Sequence, residues 1–281
     1  MITLATTTLT EGLQFPEGPR WHDGKLWFSD MNAGKVMTVD LSGNLNTIVH
    51  VPGSPSGLGW LPDDRLLVVS MTDRCLLRFE KGELIQAADL FDLATYHCND
   101  MVVDSKGRAY IGNFGFDLGS FQEVVPAEII MVRHDGDAEV VAGDLLFPNG
   151  MVITPDGKTL IVAETFGQRL TAFEILPDGM LGNRRVWAEM DGYYPDGICL
   201  DKAGGIWVAS PENHAGVLRV LEGGRISHRV QVESNAYACM LGNHDRRTLF
   251  VLTARSLTPR QPEAGGRIET VDVEIPGAGL P

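Results

Sequence analysis

Short runs of β-forming residues recur along the chain, each behind a turn rich in Asp, Gly or basic residues. Leu26-Trp27-Phe28 follows Asp23-Gly24-Lys25, and Leu66-Leu67-Val68 follows Asp63-Asp64-Arg65. Ala109-Tyr110-Ile111, Leu160-Ile161-Val162, Ile206-Trp207-Val208 and Leu249-Phe250-Val251 repeat the arrangement. The runs begin at 26, 66, 109, 160, 206 and 249, a mean spacing of 44.6 residues. Each unit holds four apolar runs separated by turn signals. In the fourth they are Met151 to Ile153, Leu160 to Ala163, Leu170 to Ile175 and Arg185 to Ala188. Pro155-Asp156-Gly157 and Leu176-Pro177-Asp178-Gly179 mark turns between them. No amphipathic helix of ordinary length is readable. Four short strands per unit, at a period of roughly 40–50 residues, is the pattern of a β-propeller. The expectation is an all-β chain folded as one six-bladed propeller domain over 1–281, with four antiparallel strands per blade. The N-terminal run Ile2 to Leu9 is expected to complete the sheet begun by the C-terminal run Arg267 to Ile275 and so close the ring.

Aligned on the hairpins, the starts of the first strands share a polar column. They read Phe15-Pro16-Glu17-Gly18, Ser54-Pro55-Ser56-Gly57, His97-Cys98-Asn99-Asp100, Phe147-Pro148-Asn149-Gly150, Tyr194-Pro195-Asp196-Gly197 and Asn235-Ala236-Tyr237-Ala238. Glu17, Asn99, Asn149 and Asp196 occupy equivalent positions; Ser56 and, within about a residue, Ala238 fill the other two. Innermost strands line the axis of a propeller, so these side chains converge at one end of a channel. Two acids there need neutralisation, because unpaired buried carboxylates are expensive. One divalent cation would supply it, with the amide oxygens completing a set of hard donors. That set favours Ca²⁺, with Mg²⁺, Mn²⁺ or Zn²⁺ as alternatives.

Chain direction places the loop after each second strand on the same face as this column. These loops contain Phe114, Phe116, Phe121 and Phe166, and the strand starts add Phe15, Phe147, Tyr193, Tyr194 and Tyr237. An aromatic wall over the column is expected, with Phe114, Phe116, Tyr194 and Tyr237 as substrate contacts. His214, in another of these loops, is a weaker candidate. The remaining histidines, His22, His50, His134, His228 and His244, flank hairpins or outer strands and read as surface residues.

Composition narrows the partners. Hydrophobic residues are 44% of the 281, enough for a large core. Basic residues number 23 against 37 acidic ones, for a net charge of −14. Nucleic acid is therefore not an expected partner, and an anionic membrane surface would repel the chain. No apolar stretch approaches the roughly 20 residues that span a bilayer, and Met1 to Thr10 do not read as a secretory signal. Cys75, Cys98, Cys199 and Cys239 lie far apart without a CxxC pair and read as buried free thiols of a reducing cytoplasm. The expected partner is a small-molecule substrate, and the expected state is a cytoplasmic monomer or small homo-oligomer. Neither a GxSxG elbow nor a GxGxxG or phosphate-binding loop is present, so serine-hydrolase and nucleotide chemistry are unsupported.

Pro16-Glu17-Gly18-Pro19 with Trp21, Asn99-Asp100 with Asp104 and Gly107-Arg108, Asn149-Gly150 with Pro155-Asp156-Gly157, and Pro195-Asp196-Gly197 together resemble the family of senescence marker protein 30 (regucalcin), gluconolactonase and related bacterial lactonases. The resemblance covers nearly the whole chain. It implies a divalent metal on Glu17, Asn99, Asn149 and Asp196, hydrolysis of lactones, and a double role for Asp196 as ligand and catalytic acid/base. Sugar-lactonase members carry an Arg two residues before the first Asn ligand, where this chain has His97. Strand alternation puts His97 on the face of Asn99, so it is expected in the pocket as a donor or proton shuttle. Counting from Asn99, Asp117 falls near the place of a pocket acid of that family. The expected activity is opening of a sugar lactone or a more hydrophobic lactone or ester. The alternatives are a phosphotriesterase-like or other metal-assisted reaction and a non-enzymatic calcium-binding propeller.

Overall fold

The computed structural model describes residues 1–120, 123–212, 216–255 and 265–281. Each predicted run becomes a strand, and each preceding turn becomes a tight hairpin. Such hairpins need a residue with positive φ. Gly24, Asp64, Gly107, Gly157, Gly204 and Arg246 supply it in the six units.

The strands form six antiparallel sheets arranged as a six-bladed β-propeller. Blade I comprises Pro16–His22, Lys25–Asp30, Lys35–Val39 and Leu45–His50. Blade II comprises Pro55–Trp60, Leu66–Ser70, Cys75–Glu80 and Glu83–Asp89. Blade III comprises Cys98–Val103, Ala109–Asn113, Ala127–Val132 and Ala138–Leu145. Blade IV comprises Pro148–Ile153, Thr159–Glu164, Arg169–Ile175 and Leu181–Glu189. Blade V comprises Ile198–Leu200, Ile206–Ser210, Gly216–Val220 and Ile226–Gln231. Blade VI comprises Asn235–Gly242, Thr248–Ala254 and Gly266–Asp272, with Thr7–Leu13 as its outermost strand. The first strand of every blade is innermost. Each touches that of the next blade, and blade VI meets blade I.

The ring closes through the termini as expected, but with a division of labour. Thr7–Leu13 pairs antiparallel with Gly266–Asp272. Ile2–Ala5 instead leaves that sheet and pairs parallel with Ile226–Gln231, giving blade V a fifth strand. Leu4 and Leu9 lie on these two segments, and both pack on the large cluster shared by blades V, VI and I. One short terminal run thus buries apolar residues on two blades.

Burial explains why the strands read as apolar runs rather than alternating ones. The second strands Leu66–Ser70, Ala109–Asn113 and Ile206–Ser210 are buried at every residue, because both faces of each sheet meet another blade. Separate apolar clusters fill the interfaces between blades I and II, II and III, III and IV, and IV and V. All four cysteines are buried free thiols. Of the remaining histidines, His50, His134 and His244 are exposed. His22 and His228 are half-buried, with His22 stacked on Trp60 at 4.0 Å. Among the described residues, no helix is long and apolar enough to cross a membrane.

Candidate active site

Every innermost strand begins with the same irregularity. In blade I, Glu17 faces Ser29 and Arg20 faces Trp27, so three steps on one strand match two on its neighbour. The same offset recurs between Pro55 and Leu58, Cys98 and Met101, and Pro148 and Met151. In blade V the Asp196 N–H donates to the Ala209 carbonyl at 2.9 Å, and the Ala209 N–H donates to the Gly197 carbonyl at 3.0 Å. Two residues there oppose one. A β-bulge bends its strand and re-aims a side chain. Repeated around the ring, it positions Glu17, Ser56, Asn99, Asn149 and Asp196 alike. In blade VI, Ala236 and Ala238 pair with Thr253 and Leu252, which leaves Tyr237 as the extra residue. The sixth position of the column is therefore Tyr237, not Ala238; the slip of one residue follows from the bulge, which the hairpin spacing does not reveal.

The residue after each of these is small in five blades: Gly18, Gly57, Gly150, Gly197 and Ala238. A Cβ on Gly150 would lie 2.6 Å from Ile198 N, and one on Gly197 would lie 2.6 Å from Ala238 Cβ. Adjacent inner strands approach too closely for a larger side chain. Blade III carries Asp100 instead, and Arg20 crosses from blade I to meet it. Its Nη2 lies 2.6 Å from Asp100 Oδ1, its Nε donates to Leu58 O at 2.9 Å, and its Nη1 donates to Pro19 O at 2.8 Å. Both side chains are buried.

Hydrogen bonds tie the column from blade to blade. Ser29 Oγ donates to Ser56 O at 2.6 Å, and Ser56 Oγ lies 3.5 Å from Asn99 Oδ1. Asn99 Nδ2 donates to Pro148 O at 3.3 Å, and Asn149 Nδ2 donates to Thr165 Oγ1 at 3.2 Å. Thr165 Oγ1 donates to Pro195 O at 2.8 Å, and the Gly197 N–H donates to Tyr237 O at 2.8 Å. Anchoring the amide nitrogens orients both amides before any ligand arrives.

Glu17 is half-buried, and Asn99, Asn149 and Asp196 are each 6% exposed. Burial, reinforced by the charge of Asp100, pushes the Glu17 carboxyl up to about 8, against the Gly18 N–H and Arg20. Burial also raises Asp196 well above the usual carboxyl range, and Glu17 and Asp100 repel it further. Glu17, Asp100 and Asp196 against Arg20 leave a formal −2 when all are ionised. Two carboxylates and two amide oxygens could hold a dication of matching charge. Among the described residues, no three His, Cys, Asp or Glu side chains form a metal cluster; this set takes half its donors from amides.

Above the column lies a second ring of equivalent positions, two residues earlier: Phe15, Ser54, His97, Phe147, Tyr194 and Asn235. The carbonyls of the first four receive the loops that follow the second strands. The N–H groups of Met31, Met71, Phe114 and Thr165 donate to Phe15, Ser54, His97 and Phe147 at 3.0, 2.9, 2.9 and 3.1 Å. These loops therefore sit on the face of the column, as chain direction requires. Sequence reading missed a supporting column at the ends of the second strands. Asp30 Oδ1 accepts the Phe15 N–H at 2.7 Å, Glu164 Oε2 accepts the Leu146 N–H at 2.9 Å, and Ser210 Oγ accepts the Tyr194 N–H at 3.0 Å. Its signal was present, since Asp30, Ser70, Asn113, Glu164, Ser210 and Thr253 are polar at one repeat position inside apolar strands.

The aromatic residues meet as a wall. Phe114 stacks on Phe147 at 4.6 Å, Phe147 meets Phe166 at 5.2 Å, and Phe116 meets Phe166 at 5.6 Å. Phe166 approaches Tyr194 at 6.4 Å, while Phe15 and Tyr237 pair at 4.6 Å across blades I and VI. His97 is half-buried between Tyr96 and Phe114. Burial holds its imidazole below its ordinary pKa, opposed by Asp117, whose charge also reaches Tyr96. Tyr237 is buried, and its phenol is raised by burial and then by Asp196. Tyr193 packs on the core between blades IV and V. Phe121, His214 and most of the loop after Thr248–Ala254 lie outside the described residues.

Comparison with known proteins agrees with this architecture. The chain is similar to the 6-deoxy-6-sulfogluconolactonase of Pseudomonas putida, 24% identical over 94% of this chain and 93% of that one. It is also similar to regucalcin of Homo sapiens, 25% identical over 96% of this chain and 94% of that one. Its fold matches the solved structure of a calcium-binding protein, regucalcin, from Agrobacterium tumefaciens, with a TM-score of 0.83 at 22% identity over 100% and 98% of the two chains. The family described as the SMP-30/Gluconolactonase/LRE-like region matches residues 15–255, and the chain belongs to that family.

Proposed function

We propose that this chain is a lactone hydrolase that depends on one divalent cation, Ca²⁺ by donor type, held by Glu17, Asn99, Asn149 and Asp196. The observation that carries the proposal is the repeated bulge, which brings four oxygen-bearing side chains to equivalent positions around one axis. Family membership and the gluconolactonase names among its relatives support the reaction class. The residual −2 supports the cation. A bound dication supplies Lewis-acid stabilisation of the negative charge that develops on the lactone carbonyl oxygen.

The chain's own residues do the rest. Asp196 takes a proton from the attacking water as its oxygen bonds to the carbonyl carbon. When the ring C–O bond breaks, Asp196 returns that proton to the leaving alkoxide, so the product is a hydroxy acid. The anchored Asn99 and Asn149 amides keep their geometry through the cycle. His97, held neutral by burial, offers one ring N–H to orient the substrate, and Phe114, Phe116, Tyr194 and Tyr237 exclude water around it.

Asp196→Asn tests the assignment. Turnover of δ-valerolactone with Ca²⁺ should fall by at least about 10³-fold, while Ca²⁺ binding by calorimetry survives weakened. Retained turnover would remove Asp196 from its role. A second reading, a calcium-binding protein without catalysis, is favoured by the description of the Agrobacterium relative. It predicts Ca²⁺ binding and no turnover of any lactone.

A further inference from the structure

The ring of residues two positions before the column is not uniform around the axis. Blades III, IV and V place His97, Phe147 and Tyr194 there and blade I places the buried Phe15, while blades II and VI place Ser54 and Asn235. Behind the aromatic sector, Phe114 and Phe166 extend the same surface and join Phe147 in one chain of ring contacts. Phe114, Phe166, Tyr194 and His97 are each half-buried, and Phe147 is buried among them.

The backbone at Phe147 is strained, as it is at Ser54 in the same position of blade II. Its φ is +61°, in a region that bulky side chains avoid. Glycine would be the relaxed residue at this position. Three contacts hold the strained turn: the Leu146 N–H on Glu164, the Thr165 N–H on Phe147 O, and the Phe166 N–H on Leu146 O at 3.2 Å. Strain of this kind persists where the surrounding structure enforces it, and it clusters at ligand sites.

We infer that the substrate carries a flat apolar group, an aryl or alkenyl substituent or a fused aromatic ring, stacked on the sector formed by His97, Phe114, Phe166 and Tyr194 and backed by the buried Phe147. This rests on the lactonase reading above and adds the substrate class. A lactone carbonyl held at the donor column directs the rest of the molecule into the ring above it. A polyhydroxylated substrate would need a matched partner for each hydroxyl, since an unpaired buried hydroxyl is penalised. Among the described residues, this sector offers the His97 imidazole, with the Asp117 carboxylate acting on it, and the Tyr194 phenol. A flat apolar substituent instead meets ring faces and edges at the spacing aromatic pairs prefer.

The test compares dihydrocoumarin, glucono-δ-lactone and unsubstituted δ-valerolactone at saturating Ca²⁺. The expected kcat/KM for dihydrocoumarin exceeds that for glucono-δ-lactone by at least tenfold. Phe166→Ala should lower the dihydrocoumarin to valerolactone ratio by about three- to tenfold, the loss of one ring contact. Phe166→Leu, which keeps apolar volume, guards against misfolding and should lower the ratio less. A preference for glucono-δ-lactone, or a ratio unmoved by Phe166→Ala, overturns the inference. Binding of lactams that are not opened, 3,4-dihydroquinolin-2-one against gluconolactam, separates the two claims. If no lactone is hydrolysed, the lactonase reading fails. The binding comparison then still decides the sector: tighter gluconolactam binding overturns it, and tighter quinolinone binding sustains it.

Discussion

Removing divalent cations should make the protein lose stability as the pH rises through neutrality, the opposite of what paired carboxylates usually do. In the cation-free fold Glu17 keeps its proton up to about 8, whereas its unperturbed value is 4.5. Between those values the folded state binds a proton that the unfolded chain has released. The unfolded state is then favoured further with each pH increment, by about 1.4 kcal/mol per pH unit for each carboxyl held protonated. Asp196, raised in the same direction, adds to the slope. His97 and His228 act oppositely: both are held below the ordinary imidazole value, so they destabilise the fold mainly below about 6.5. The clean window is therefore about pH 6.5 to 7.5. There Glu17 alone corresponds to a fall in melting temperature of about 2–4 °C in a chain this size. The assay is thermal unfolding in EDTA and in saturating Ca²⁺ across that window. Calorimetric Ca²⁺ titrations at pH 7 in buffers of different ionisation enthalpy would run alongside it. Ca²⁺ should remove the slope and displace at least one proton. Glu17→Gln, which cannot ionise, should make the cation-free slope shallower. A cation-free melting temperature that is level or rises from pH 6.5 to 7.5 would refute the reasoning.

Three further outcomes follow from buried groups. Arg20→Leu strands Asp100 beside Glu17 and Asp196 and should destabilise by about 3–5 kcal/mol in urea unfolding. Adding Asp100→Gly, the residue four other blades use at this position, should recover part of that loss; a strictly additive double variant would deny the coupling. Gly197→Ala forces a Cβ to 2.6 Å from Ala238 Cβ and 2.7 Å from its Cα. It should cost about 1–3 kcal/mol and weaken Ca²⁺ binding, and an unchanged urea midpoint would contradict the close approach. Glu164 is fully buried and bonds Arg169, Thr171 and the Leu146 N–H. Glu164→Ala should lower stability by about 3–5 kcal/mol, which a thermal melt with no shift would exclude.

The repeat made the fold readable, because every blade but the sixth takes its four repeat strands from one local stretch of chain. Its hairpin turns carry their own positive-φ residue, and its strands keep their apolar runs within about 45 residues. The candidate ligands were legible for the same reason: Glu17, Asn99, Asn149 and Asp196 follow a fixed offset from a locally encoded hairpin. Local order also predicted that the loops after the second strands share the face of the column. It left Tyr237 misplaced by one, because Ala236 and Ala238 look alike on either side of it and only the pairing with Thr248–Ala254 distinguishes them.

What tertiary structure alone decided are contacts between distant parts of the chain. Arg20 finds Asp100 across 80 residues and past an intervening blade. Ile2–Ala5 and Thr7–Leu13 part company to join different sheets. The aromatic residues of three blades become one wall, and the carboxyls of Glu17, Asp100 and Asp196 come within electrostatic reach of one another. Sequence sets the type and spacing of these groups. Their distances, and with them their protonation, arise only when six sheets close on a common axis and bring the inner strands within reach of a single Cβ.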